Sequence, residues 1–253
     1  MEYIRNPECE CAEYKDKDAL SFSERLNLKQ YWMRGFIYDG TDSRECKCHR
    51  VFRLKGRYNR IALEAGLPSH EKLRELKYLG NSNVYEKLKN LPSKIDENNL
   101  EDILVFVTGK AGCQKTTSLA KLIFQAVLRD ETVKYMTFAE FTNNCLSKAD
   151  EVLDSTLNVD WLFIDDCFTG GTVNFKTVYN QFYNLLLRRK KPTIIASDLS
   201  KGEILERKDA PFFIPDMLEK VFAKVTKYNA ILFFTEEVDK NLILENGPID
   251  LWS

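Results

Sequence analysis

Residues 103–117 read ILVFVTGKAGCQKTT. A short apolar run rich in β-branched and aromatic residues ends at Gly109, a glycine-bearing turn follows, and TTSLAKLIFQAVLRD (116–130) reads as a helix. Strand, turn and helix are the setting in which G-x-x-x-x-G-K-[ST] makes a phosphate loop. The turn and the helix N-terminus point backbone N–H groups at phosphate, the lysine reaches the β- and γ-phosphates, and the next hydroxyl binds Mg²⁺. The candidate nucleotide-binding residues are therefore Gly109, Lys110, Ala111, Gly112, Cys113, Gln114, Lys115, Thr116 and Thr117. Gln114 stands where the pattern asks for glycine. A Cβ there needs an ordinary backbone conformation or accepts strain of about 1–3 kcal/mol. That is small beside a triphosphate bound with Mg²⁺, so the loop is expected to bind ATP or ADP.

Strands and helices alternate after this stretch. VKYMTF (133–138), WLFIDD (161–166), PTIIASD (192–198) and AILFFTE (230–236) read as strands. Helical segments run to about 155, over 174–189 and near 214–227. That alternation predicts an α/β fold with a parallel sheet. WLFIDD places Asp165 and Asp166 at the carboxyl end of a strand, the edge where open α/β sheets bind ligands. One carboxylate, Asp165, can hold Mg²⁺ together with Thr116, and Asp166 can polarise the attacking water as a catalytic base. The plainer reading of the pair is a helix N-cap. Ser197 and Asp198 end the next strand, where they can meet the γ-phosphate or simply cap a helix.

Upstream the chain has a different character. Four of its seven cysteines, Cys9, Cys11, Cys46 and Cys48, fall in the first 50 residues. They supply four thiolates for tetrahedral Zn²⁺, which can organise a small domain with little core, or they remain free thiols; His49 is an alternative ligand. Residues 50–65 read as a helix with an apolar stripe of Val51, Leu54, Tyr58, Ile61 and Ala65 beside a basic stripe of Arg50, Arg53, Arg57 and Arg60. The basic stripe grips phosphate or an acidic partner, or is a solvated face. Arg188, Arg189, Lys190 and Lys191 form a second basic group, which reads as a contact to a neighbour's nucleotide or to single-stranded DNA, or as a basic helix end.

Whole-chain properties narrow the classes. Of 253 residues 44% are hydrophobic, enough for a core, and a net charge of −1 gives no bulk attraction to nucleic acid. No apolar segment follows Met1 and no run approaches a membrane span, so neither a secretory signal nor a membrane partner is expected. An odd cysteine count then fits a reducing, cytoplasmic setting. The boundaries expected are 1–68 for the cysteine-bearing domain, 69–100 for a helical connector and 101–253 for the α/β domain.

With GKAGCQKTT (109–117) as Walker A, WLFIDD (161–166) as Walker B and LLLRRKKPTIIASDLS (185–200) leading into sensor 1, the chain resembles the AAA+ ATPases of the DnaC/DnaI helicase-loader and IstB-like group. CKCHRVFRLKGRYNRIALEAGLP (46–68) with its cysteine pairs is similar to loader N-terminal regions, which can carry zinc. The resemblance implies an AAA+ P-loop NTPase core without a lid domain. It implies ATP hydrolysis, binding to a DnaB-type replicative helicase and to single-stranded DNA, and self-association. Two departures matter. The family has asparagine where this chain has Asp198, and arginines where it has Lys220, Lys224 and, later, Lys240. Lysine lacks the guanidinium fork. The resemblance therefore implies weak or partner-dependent hydrolysis, with Asp198, Lys220 and Lys224 as the residues at the catalytic positions, and points to a phage or mobile-element version. Two rivals stay open: a transposition helper that binds duplex DNA, and a helicase-binding adaptor that does not hydrolyse ATP.

Overall fold

The computed structural model describes residues 6–21, 29–39, 41–75, 88–97, 103–112, 114–168, 175–200, 203 and 231–234. The chain divides into two compact units, Met1–Arg60 and Ile61–Ser253.

The first unit holds an antiparallel meander that the sequence reading did not anticipate: β1 (Gln30–Met33), β2 (Phe36–Asp39) and β3 (Asp42–Glu45), in that order. β1 and β2 are joined by Arg34 and Gly35 at φ 47° and 92°. Two successive positive φ values match the twist of a two-residue hairpin. Gly35 is also required by space, because a Cβ there would lie 2.2 Å from the His49 ring. The cross-strand partners Tyr31 and Tyr38 stack with centroids 4.7 Å apart. Helix α1 (Lys47–Ala65) follows. Its buried stripe is Leu54, Tyr58 and Ala62, four residues apart, whereas Val51 is 42% exposed. The inward face is thus rotated from the stripe expected through Val51, Ile61 and Ala65. The unit's apolar cluster is small: Cys11, Trp32, Ile37 and Cys46, with Cys9, Tyr14 and Cys48 packed against it.

In the second unit, α2 (His70–Glu75) and α3 (Leu91–Glu97) precede the sheet. The sheet comprises β4 (Leu104–Gly109), β5 (Val133–Thr137), β6 (Trp161–Asp165), β7 (Thr193–Ser197) and β8 (Ile231–Phe234). All pairings are parallel and the order is β5-β6-β7-β4-β8. β6 and β7 are buried at every residue and β4 at all but its last. A parallel sheet covered on both faces requires that pattern, which is why the interiors of these strands read as apolar runs.

Three long helices flank it: α4 (Lys115–Leu128), α5 (Phe138–Leu157) and α6 (Phe175–Arg188). α5 starts with a capping box in which Glu140 N donates to Thr137 Oγ1 at 3.2 Å and Thr137 N donates to Glu140 Oε2 at 2.7 Å. Phe138, Phe141, Phe168 and Phe182 pack together with ring centroids 5.3–6.1 Å apart. The helix read near 214–227, the absence of a lid, and Cys113, Lys220, Lys224 and Lys240 lie outside the described residues.

The amino-terminal edge of the sheet is closed by polar contacts. Arg189 is 1% exposed. It donates to Thr193 Oγ1, to the carbonyls of Thr156, Leu157, Asp160 and Pro192, and so uses all five of its N–H groups. Lys191 donates to Asn158 O at 3.0 Å and to Asp160 Oδ1 at 2.9 Å. Burial opposes the Asp160 carboxylate, but Thr132 and Lys191 bond it and bring it down to about 2. Two of the four cations read as a DNA or nucleotide contact therefore join α5, β6 and β7; Arg188 and Lys190 stay exposed.

Candidate functional site

The carboxyl ends of β4, β6 and β7 converge on Lys115. The turn after β4 has Gly112 at φ 91°, and Gln114 takes up a left-handed conformation at φ 57°, ψ 27°. The residue that replaces glycine thus keeps a backbone that favours glycine, and accepts strain of about 1–2 kcal/mol rather than an ordinary conformation. Its carbonyl still opens α4 by accepting from Ser118 N at 2.9 Å and Ser118 Oγ at 2.8 Å.

Lys115 is 6% exposed and its ammonium is enclosed by oxygen. It donates to Gly109 O at 2.7 Å and Lys110 O at 2.9 Å, and lies 2.5 Å from Asp198 Oδ1. Asp198 therefore faces the loop lysine. Ser197, the other polar residue at that strand end, is fully buried and structural. Its Oγ donates to Cys167 O at 2.6 Å and accepts from Leu199 N at 3.1 Å.

Thr116 and Asp165, 49 residues apart in sequence, meet at 2.7 Å, Thr116 Oγ1 donating to Asp165 Oδ2. Adjacent oxygens on an octahedral Mg²⁺ with bonds of 2.0–2.1 Å lie about 3 Å apart. The two oxygens thus fit neighbouring positions on that ion, and exchange of their hydrogen bond for metal ligation needs little movement. Tyr135, at the middle of β5, donates its hydroxyl to the same Asp165 oxygen at 3.1 Å. Burial and then the Asp165 charge push the Tyr135 phenol pKa up, so it remains a donor. Sequence reading missed Tyr135; VKYMTF marks it as strand but gives no sign that its ring end meets the acid.

Asp166 follows at φ 53°, and its N–H donates to Asp165 Oδ1 at 2.9 Å. Phe168, also left-handed at φ 67°, is 3% exposed in the aromatic cluster and fixes the end of this turn. Burial, then the Asp165 and Asp198 charges, raise the Asp166 carboxyl above the ordinary range, against the opposing pull of Lys115.

No family model and no curated protein matches the sequence. Among solved structures the chain is similar to AMPPCP-bound DnaA from Aquifex aeolicus, with 23% identity over 67% of this chain and 57% of that one and a TM-score of 0.41. It is similar to DnaI at 13% identity, covering 61% and 86% of the two chains with a TM-score of 0.47. It is also similar to the DnaC helicase loader at 20% identity, 62% and 93% coverage and a TM-score of 0.39. The chain spans little more than half of the DnaA structure. Likenesses this distant assign no residue and no activity. What fixes the fold is the sheet itself, with β7 between the loop strand β4 and the acidic strand β6, and the loop lysine paired with Asp198 just after β7. The core is a parallel α/β sheet with a phosphate-loop-like turn after β4 and helices on its faces. No helix among the described residues is long and apolar enough to cross a membrane.

A second candidate site lies in the Met1–Arg60 unit. Cys9 precedes a 3₁₀ turn at Glu10–Glu13 that contains Cys11; Cys46 follows β3, and Cys48 lies in the first turn of α1. All four Sγ atoms lie within 4.8 Å of one another. Cys48 Sγ is 3.5 Å from Cys11 Sγ and 3.4 Å from Cys46 Sγ. A Zn²⁺ with 2.3 Å bonds to sulfur puts tetrahedral thiolates about 3.8 Å apart, so the four cysteines fit that ion. Burial opposes the Cys9 thiolate, but hydrogen bonds from the Cys11 and Cys48 backbone and thiols outweigh it and bring it to about 7. His49 is not in the cluster: its Nδ1 pairs with Glu45 Oε1 at 2.8 Å, as does Arg53 Nε at 3.1 Å. Arg44 pairs with Glu10 at 2.9 Å. Part of the basic run from Arg44 to Arg60 is therefore neutralised within the unit.

Proposed function

We propose that this chain is a helicase loader, a Mg²⁺·ATP-binding protein that engages a DnaB-type replicative helicase and helps place it on single-stranded DNA. The observation that carries the nucleotide part is the meeting of Thr116 with Asp165 beside an enclosed Lys115. With nucleotide present, Lys115 and the backbone N–H groups of 110–117 bind the phosphates. Thr116 and Asp165 hold Mg²⁺, which supplies charge neutralisation at the phosphates. Asp166, with its raised pKa, orients the attacking water and takes its proton. The loader part rests on motif order together with a cysteine-clustered unit at the start of the same chain. In this reading residues 1–68 bind the helicase around a structural Zn²⁺, 69–100 connect, and 101–253 bind ATP and self-associate. Hydrolysis is weak or partner-dependent, because Asp198 engages the loop lysine. Lys220 and Lys224 stand in for trans-acting arginines.

Native mass spectrometry of the full chain with a DnaB-type helicase from its host, with and without Mg²⁺·ATP, tests this. A defined complex that retains nucleotide and one zinc per chain is the expected outcome. No complex under any nucleotide condition sinks the loader reading, and duplex DNA becomes the ligand to try.

A further inference from the structure

Asp198 is a carboxylate of this pocket with no part in magnesium binding, and the one that pairs with Lys115. Its backbone is pinned between two strands. Ser197 Oγ bonds Cys167 O at 2.6 Å and Leu199 N at 3.1 Å, and Cys167 N donates to Ala196 O at 2.8 Å. Asp198 therefore leaves the pocket only by side-chain rotation, or by breaking the contact between the ends of β6 and β7.

The donors of Lys115 can be counted. An ammonium has three. Here they go to Gly109 O, Lys110 O and Asp198 Oδ1. The two carbonyls are neutral and belong to the loop that receives phosphate, so phosphate oxygens replace them readily. The bond to Asp198 is charge-assisted and stronger. A nucleoside diphosphate asks Lys115 for one donor at its β-phosphate. It can displace a carbonyl and leave the Lys115–Asp198 pair intact. A triphosphate asks for a second donor and brings its terminal charge next to the Asp198 carboxylate. A Mg²⁺ held by Thr116 and Asp165 would neutralise part of the phosphate charge, but Asp198 is not among its ligands. Asp165, Asp166 and Asp198 do not gather into a metal-holding group; among the described residues the one such group is the four cysteines.

We propose that Asp198 makes this a diphosphate-preferring site, in which a nucleoside diphosphate binds with the Lys115–Asp198 pair kept and a triphosphate binds only by breaking it. This rests on the nucleotide-binding reading of the same loop. It makes the diphosphate complex the resting form of the protein, and gives a partner that turns Asp198 away control over triphosphate entry.

The test is isothermal titration of the full chain with Mg²⁺·ADP and with Mg²⁺·AMPPNP, a triphosphate that is not hydrolysed. Wild type is compared with Asp198→Asn, which keeps the size and removes the charge. Asp198→Ser serves as a second variant should the first fail to fold. Wild type is expected to bind the diphosphate about tenfold tighter or more. The substitution is expected to move the affinity ratio toward the triphosphate by about tenfold, as for one like-charge pair removed from a partly buried site. A ratio that moves less than threefold, or toward the diphosphate, overturns the proposal, as does a wild type that prefers triphosphate. Lys115→Ala separates the two ideas. If it abolishes binding of both nucleotides while Asp198→Asn leaves the ratio unchanged, the nucleotide site stands and the role of Asp198 falls. If wild type binds neither nucleotide, both fall.

Discussion

Arg189 and Lys115 are buried cations of one sheet, 1% and 6% exposed, at its opposite edges. At the amino-terminal edge every donor of Arg189 is matched by a hydroxyl or carbonyl of the elements it joins. At the carboxyl-terminal edge two of the three Lys115 partners are carbonyls of its own loop and the third is a carboxylate on a neighbouring strand. The first arrangement leaves Arg189 no donor to offer a ligand. The second is a set of exchangeable contacts. Burial alone does not separate a structural cation from a functional one; the ownership of its partners does.

Paired substitutions test this most strongly. Arg189→Ala removes five donated hydrogen bonds, of whose acceptors the Pro192 carbonyl keeps another donor in Leu162 N, and is expected to lower stability by about 3–5 kcal/mol, read from urea unfolding. Lys115→Ala is expected to cost less, about 1–2 kcal/mol, because Asp198 is 34% exposed and water takes over its bond. Equal losses in both would erase the distinction.

Lys121, on α4 and 7% exposed, sharpens the contrast. Burial lowers its pKa from 10.5 to about 8. The folded pKa lies below the unfolded one, so the unfolded chain binds more protons between the two and stability rises with pH across that window. From pH 7 to 9 the gain expected from this group is about 1 kcal/mol. Lys121→Met should be more stable than wild type at pH 7, and that advantage should shrink by pH 9; thermal unfolding at both pH values measures it.

The smallest effect belongs to Gln114. Gln114→Gly relieves left-handed strain of about 1–2 kcal/mol and adds about 0.5–1 kcal/mol of unfolded-chain entropy, for a net stabilisation of about 0.5–1 kcal/mol. Calorimetry showing a less stable variant would mean that the glutamine side chain makes contacts worth more than the strain.

The sequence carried the sheet well. LVFVTG, WLFID and TIIAS lie in the sheet interior and so are mostly apolar, with their polar residues at the strand ends, and the phosphate loop is local enough to be read as a string. The N-terminal meander was not legible, because β3 is DSRE and exposes most of its residues. Its identity as a strand depends on pairing with β2. The Arg34–Gly35 turn was the available signal. Arg189 misled for a related reason: a basic run beside a helix end looks the same whether solvent or five acceptors surround it. The Lys115–Asp198 contact joins residues on different strands, and their spacing in sequence gives no hint of it.

The strand order has a consequence for synthesis. β4, which carries the phosphate loop, pairs with β7 on one side and with β8 on the other. Until residues 231–234 leave the ribosome, one flank of LVFVTG presents unpaired N–H and C=O groups to the cell. The nucleotide pocket is thus founded early in translation and sealed late, and the strand that carries its loop needs shelter until translation reaches β8.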